Sequence, residues 1–204
     1  MGYTTYFCGE IQITPPFNPH EVEYLKRFNK TRRMDRVRGP YFAEPSDNFG
    51  QSHEQDVRAY NLPGFGQPGL WCHWAPTEDG TAIVWDEGEK FYDAGEWMRY
   101  FIETFVRPNA ELQRFLSGEF RSEGSERWLT DPSFEHFTFD HTCNGEIYAD
   151  GESSDDFWKI VVVDNVVACH DAEIVYADEF VARVAARAEC DPALRAELVR
   201  RLGT

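Results

Sequence analysis

The sequence predicts an α+β fold, a mainly antiparallel or mixed β-sheet with helices packed on it. The expected order is β-α-β-β-α, then a β-meander, then two helices. Three observations predict it. An Asn-Pro-x-Glu start followed by apolar residues at helical spacing comes after the first alternating run. A hairpin signal lies between two apolar stretches near residue 80. Short runs of β-formers separated by turn residues fill residues 134–171.

In order, "TTYFCGEIQIT" (4–14) reads as a strand, with Tyr6, Cys8, Ile11 and Ile13 alternating imperfectly and Gly9 a candidate bulge. Pro15 and Pro16 end it. Asn18 is placed to cap a helix, Pro19 occupies its first turn and Glu21 completes a capping box. Val22, Leu25 and Phe28 recur at helical spacing, so this helix is expected over residues 19–33. Residues 34–69 hold Gly39-Pro40, Pro63-Gly64 and Pro68-Gly69 with little periodicity, and read as a long irregular segment.

"LWCHWA" and "TAIVWD" flank Asp79-Gly80 and predict a hairpin. On its first strand, Trp71 is expected on one face, Cys72 and Trp74 on the other. Asp93-Ala94-Gly95-Glu96 reads as a second capping box, opening a helix with Trp97, Phe101, Ile102 and Phe105 on one side and Pro108 at its end. "NAELQRFLSG" suits a short helix. "FEHFTFDHTC" alternates, with Phe137, Phe139, His141 and Cys143 on one face, and Asn144-Gly145 suits a tight turn. "EIYAD", "FWKIVVV", "VVACH" and "AEIVY" follow as strands, with a turn at Asp164-Asn165. Asp178 and Asp191-Pro192 open two final helices. Residues 1–176 are expected as one domain and 177–204 as a helical extension.

The 204 residues suffice for a full core, and no apolar run is long enough to cross a bilayer. The first residues lack a basic segment ahead of an apolar stretch, so a cytoplasmic location without a signal peptide is expected. The five cysteines are expected as thiols. The net charge of −16 disfavours duplex nucleic acid as a partner. Yet Lys26, Arg27, Lys30, Arg32, Arg33, Arg36 and Arg38 crowd into "KRFNKTRRMDRVR", seven of the chain's 20 basic residues. Such segregation suits a small anion, although pairing with the surplus of surface acids would also account for it.

"GYTTYFCGEI", "TRRMDR", "QPGLWCHWAPTEDGTAIVWDEGEKFY" and "NGEIYADGE…KIVVVDNVV" together resemble a family of small bacteriophage and bacterial proteins of unassigned activity. The shared pattern is TT-x-F, RRM, QPGLWC-x-W, WD-x-GEKFY, NGE and DN-x-V, covering residues 1–107 and 144–167. Residues 108–143 depart from it as an insertion, and 171–204 as an extension. The resemblance implies a phage or mobile-element context and assigns no catalytic residue.

Four groups of residues can carry chemistry. At 100° per residue Lys26, Lys30 and Arg33 fall within about 60° on the first helix, beside its apolar face, while Arg32 points close to that face. Tryptophans 71, 74, 85 and 97 are either core or a stacking platform, with Trp71 and Trp74 the candidates for a ligand. Asp86, Glu87 and Glu89 stand where a strand leaves for a helix and can divide acid and base roles. Three Cys-His pairs occur, but neighbours on a strand face opposite ways, so no metal site is expected. No cofactor-binding motif is present.

Three functions follow as expectations. The first is a non-catalytic accessory protein that sequesters a small anionic, nucleotide-like ligand and so counters a host defence signal. Lys26, Lys30, Arg32 and Arg33 would hold phosphate, and Trp71 or Trp74 would stack the base. The second is a hydrolase of phosphoester or N-glycosidic bonds using Asp86, Glu87 or Glu89. The third is an acidic module that docks a host protein or mimics nucleic acid.

Overall fold

Strand β1 (Thr5–Thr14) is the spine of a computed structural model, which describes residues 2–44, 54–119, 121, 122, 124–128, 130–153, 155–172 and 200. Phe7, Ile11 and Ile13 point into the core, while Tyr6, Cys8, Glu10 and Gln12 face out. The apolar alternation thus runs through Phe7 and not through Tyr6 and Cys8. The expected bulge at Gly9 is absent from the β1 pairing with β6 (Thr142–Gly151), which keeps one register from Thr5↔Gly151 to Thr14↔Thr142.

Helix α1 (Pro19–Lys30) begins as the sequence dictates. The Asn18 side chain accepts from the backbone N–H of His20 and Glu21, and the Glu21 carboxylate accepts from Asn18 N–H at 2.8 Å. It ends three residues short of the expected 33. Thr31 adopts an extended backbone (φ −94, ψ 127), and its hydroxyl donates back to the Arg27 carbonyl at 2.8 Å. Strands β2 (Met34–Arg36) and β3 (Val57–Pro63) then form a separate two-stranded ribbon inside the stretch expected to be irregular. Its register slips twice within three residues, which erases the alternation that would have marked it.

Strands β4 (Trp74–Pro76) and β5 (Ala82–Trp85) form the predicted hairpin around Asp79-Gly80. Helix α2 (Ala94–Phe101) widens into a π-turn over Ile102–Val106, closed by Arg107 N–H donating to the Ile102 carbonyl at 3.2 Å. The wider turn keeps Phe101, Ile102, Phe105 and Val106 all buried. Asp93 stands at its N-cap but makes no capping bond with its side chain, contrary to the expected box. Its left-handed backbone (φ 57) leaves only the Asp93 carbonyl to engage the helix, accepting from Trp97 N–H at 2.8 Å. Helix α3 (Glu111–Leu116) is the predicted short helix.

Strands β7 (Phe157–Val163) and β8 (Val166–Asp171) complete a six-stranded antiparallel sheet in the order β4-β5-β1-β6-β7-β8. Asp164 and Asn165 turn between them, both with positive φ. The expected Asn144-Gly145 turn does not form, because both residues lie inside β6. Gly145 is needed there for a close approach of chains, since a Cβ on it would stand 2.5 Å from the Glu10 carbonyl. One sheet face carries Ile11, Ile83, Ile147 and Ile160 against Leu25, Phe28, Trp97, Met98 and Phe105. The fold is therefore α+β, as predicted, with every described strand pair antiparallel.

The chain divides into two compact units, Met1–Asp171 and Ala172–Thr204. Apart from Ala172 and Arg200, the expected strand at 172–176 and the two C-terminal helices lie outside the described residues. Among the described residues no helix is long and apolar enough to cross a membrane.

Candidate functional site

The basic cluster divides into two groups. Lys26 pairs with Glu78, Arg27 holds Asp131 bidentately at 2.8 and 3.1 Å, and Arg36 and Arg38 both approach Asp56 at 3.7 and 3.8 Å. Lys30, Arg32 and Arg33 have no carboxylate partner among the described residues. Lys30 is exposed, and Arg32 donates to the Asn61 side-chain oxygen at 3.0 Å.

Arg33 is the unusual member. It is only 1% exposed, donates to the Phe42 carbonyl, and lies with Cζ 4.1 Å from the Phe28 ring centroid. Its Nε and Nη1 find no hydrogen-bond partner among the described residues. Burial lowers its pKa to about 10, which still leaves it charged at neutral pH. The helical projection, with Arg33 beside Lys26 and Lys30 and Arg32 near the apolar face, is thereby inverted. Because α1 stops at Lys30, residues 31–33 follow the two-residue alternation of extended chain, which turns Thr31 and Arg33 inward and Arg32 outward.

The tryptophans separate in the same way. Trp74 and Trp97 are 0% exposed, and the Trp74 Nε1–H donates to the Ala94 carbonyl at 2.8 Å. Trp74 is core and cannot stack a ligand, a correction to its candidacy. Strand β4 begins only at Trp74, yet the expected alternation already holds over 71–74, with Cys72 and Trp74 buried and Trp71 and His73 half-buried beside each other. Trp71 is half-buried, its ring near-parallel to His73 at 17° with centroids 6.3 Å apart.

Of the three candidate carboxylates, Asp86 is built into a network. Its Oδ1 stands 2.9 Å from His73 Nδ1 and accepts from Gly88 N–H at 2.9 Å. Its Oδ2 accepts from the buried Asn29 side chain at 3.0 Å. Partial burial pushes the Asp86 carboxyl up, but the bonds from His73, Asn29 and Gly88 outweigh it, and the net shift is downward. Glu87 and Glu89 are exposed and make no hydrogen bond or ion pair among the described residues. The loop carrying them has left-handed backbone at Glu87 (φ 64), Lys90 (φ 59) and Asp93 (φ 57), conformations that non-glycine residues adopt at a cost.

His73 and Asn29 are the residues that sequence reasoning missed. The Cys72-His73 pair drew notice only as a metal candidate, and the two side chains diverge. The Cys72 sulfur lies 3.8 Å from the Trp74 carbonyl in the core, while His73 turns out to Asp86. Asn29 also donates to the Cys72 carbonyl at 2.9 Å, which ties the last turn of α1 to the 70–74 segment. The Arg33 N–H donates to the Leu70 carbonyl at 2.8 Å and adds a second tie.

The result is a surface on which the end of α1, residues 70–73 and the 86–88 loop converge. Asn29 and the Arg33 backbone make the ties, Lys30 and Arg32 lie between them along the chain, and the 86–88 loop contributes the His73–Asp86 pair. A carboxylate on Nδ1 selects the tautomer whose lone pair is on Nε2. Comparisons with protein-family models, with curated proteins and with solved structures returned no match.

Proposed function

We propose that this chain binds a small anionic, nucleotide-like ligand at the C-terminal end of α1 and takes it out of circulation. The sorting of the basic cluster carries this reading. In a chain of net charge −16, four neighbouring cations find carboxylates, yet Lys30, Arg32 and Arg33 find none among the described residues. Leaving a buried guanidinium without a counter-charge is costly, and a bound anion is the natural compensation for the cluster. Guanidinium groups suit phosphate oxygens, and a compact ligand needs only such a local patch. The sequence resemblance to phage and bacterial proteins supports placing that ligand among host defence signals, met in the host cytosol.

The test is to purify the chain from cells, denature it and identify released small molecules by mass spectrometry, alongside thermal melts with a nucleotide panel. A ligand at 100 times its Kd should stabilise by about 2.7 kcal/mol. Lys30→Glu with Arg32→Glu should abolish the shift. If nothing co-purifies and no nucleotide moves the melting temperature, the reading is wrong.

A further inference from the structure

The ligand surface contains a group that anion binding alone does not require. The His73 ring is fixed on three sides: Trp71 lies parallel to it, Phe91 meets it edge-on with centroids 5.1 Å apart, and Gly88 closes over it. Gly88 approaches so near that a Cβ there would stand 2.0 Å from His73 Nδ1. Both oxygens of Asp86 are occupied, Oδ1 by His73 and Gly88, Oδ2 by Asn29. The side chain of His73 remains 15% exposed, and Nε2 makes no hydrogen bond among the described residues. An imidazole with one nitrogen oriented by a carboxylate and the other unengaged is the arrangement of a general base. Asn29 holds Asp86 from the residue directly before Lys30, so the dyad is tied to the last turn of α1, immediately ahead of Arg32 and Arg33 in the chain.

We propose that His73 is a general base for hydrolysis of a phosphoester in the bound anion, and that Asp86 is the residue positioning it. The proposal rests on the ligand site proposed above and adds turnover to it. Water is the nucleophile. Its oxygen forms the new bond to phosphorus while one of its protons passes to His73 Nε2. The bond from phosphorus to the leaving oxygen breaks with its electron pair, and that oxygen takes the proton back from Nε2. Cys72 is unsuited to serve as nucleophile, because it is fully buried and its thiol is pushed up to about 12. Lys30 and Arg32 would hold the non-bridging oxygens on which charge accumulates.

The experiment uses the full chain with bis(p-nitrophenyl) phosphate and p-nitrophenyl phosphate. The expected result is release of nitrophenolate by wild type above the buffer rate for at least one of them. His73→Gln should lower kcat about 100-fold, with part of the rate restored by added imidazole. Asp86→Asn should lower kcat with little change in KM, and Asp86→Glu should recover part of it, whereas a merely structural carboxylate would show neither effect. Near-UV circular dichroism of each variant separates loss of chemistry from loss of fold, and imidazole rescue requires a folded protein. Wild type that hydrolyses neither probe, or His73→Gln as active as wild type, overturns the proposal. Nucleotide binding without turnover would remove the catalytic role and leave the binding reading standing. Turnover whose KM is unmoved by Lys30→Glu with Arg32→Glu would keep the dyad and remove the ligand placement.

Discussion

The His141 Nε2 stands 3.2 Å from Oε1 of Glu21, with both side chains only 1% exposed, far along the chain from each other. His141 Nδ1 faces the Pro15 carbonyl at 2.7 Å, with the exposed Asp140 carboxylate 3.9 Å away. Both ring nitrogens thus face oxygen, so the protonated ring suits the site. Glu21 also accepts from Thr138 N–H at 2.8 Å and from Asn18 N–H. One buried pair therefore locks the start of α1 to the chain entering β6.

Stability should depend on pH through this pair in both directions. Burial pushes the His141 imidazole down, but bonds to Glu21 and Pro15 outweigh it and the net shift is upward. A raised histidine contributes stability that is full below the unfolded value near 6.5 and is lost as pH rises through the folded value. Burial pushes Glu21 up, and bonds from His141, Thr138 and Asn18 bring it below its ordinary 4.5. Its contribution is present above 4.5 and is lost as pH falls through the folded value. Urea denaturation across pH should show a maximum with a fall on each side. Glu21→Gln should cost about 3–5 kcal/mol by leaving His141 buried without its counter-charge, and should flatten both limbs.

Gly88→Ala should dismantle the His73–Asp86 contact without touching either residue. The added methyl would occupy the position of the imidazole ring, and the obstacle is the ring itself. Expulsion of the ring also frees Asp86 from its main downward influence, so the Asp86 carboxyl should titrate at higher pH. Carboxyl NMR titration of wild type against Gly88→Ala measures this. An unchanged Asp86 titration would mean that His73 does not control it.

Arg33→Met should raise stability by about 1 kcal/mol or more in the absence of ligand. It removes a buried charge with two guanidinium nitrogens that find no hydrogen-bond partner among the described residues, at the expense of the bond to the Phe42 carbonyl and the contact with Phe28. The same variant should lose the thermal shift given by an anionic ligand. A gain in stability with a loss of binding is the signature of a residue kept for function and not for folding. Equilibrium denaturation with and without ligand reads both.

What was legible in the sequence depended on how local its cause was. The start of α1 is written in four consecutive residues, Asn18 to Glu21, because a capping box is a local set of hydrogen bonds. The hairpin at Asp79-Gly80 and the strand over 157–163 were equally readable. The end of α1 was not, since Thr31 stops the helix through a hydroxyl bond back to Arg27 that competes with continued helix formation. The three residues by which α1 stops short reverse Arg32 and Arg33, and with them the expected site. Asn144-Gly145 carries a strong turn signal, yet its glycine serves the approach of β1 to β6 instead. Asp86 stood out in the sequence as a candidate, and the structure gives it bonds to His73, Gly88 and Asn29. Its partners could not be named, because Asn29 and His73 reach it only through the packing of α1 beside the hairpin.

Trp71 and Trp74, three residues apart and alike in the sequence, should respond oppositely to truncation. Trp74 is wholly buried, meets Phe7 and Phe91 edge-on with centroids 5.3 and 5.0 Å away, and donates to the Ala94 carbonyl. Trp74→Ala should cost about 3–5 kcal/mol, the range for large aromatic deletions in a core, and leave the Ala94 carbonyl without its donor. Trp71 is half-buried and contributes one face to the His73 ring. Trp71→Ala should cost clearly less stability, because less apolar surface leaves solvent contact on folding there. It should nevertheless lower ligand affinity, since it loosens the side of the site against which His73 is packed. Chemical denaturation and ligand titration of the two variants together check this. A Trp71 variant as unstable as the Trp74 variant would assign residue 71 to the core and remove it from the site.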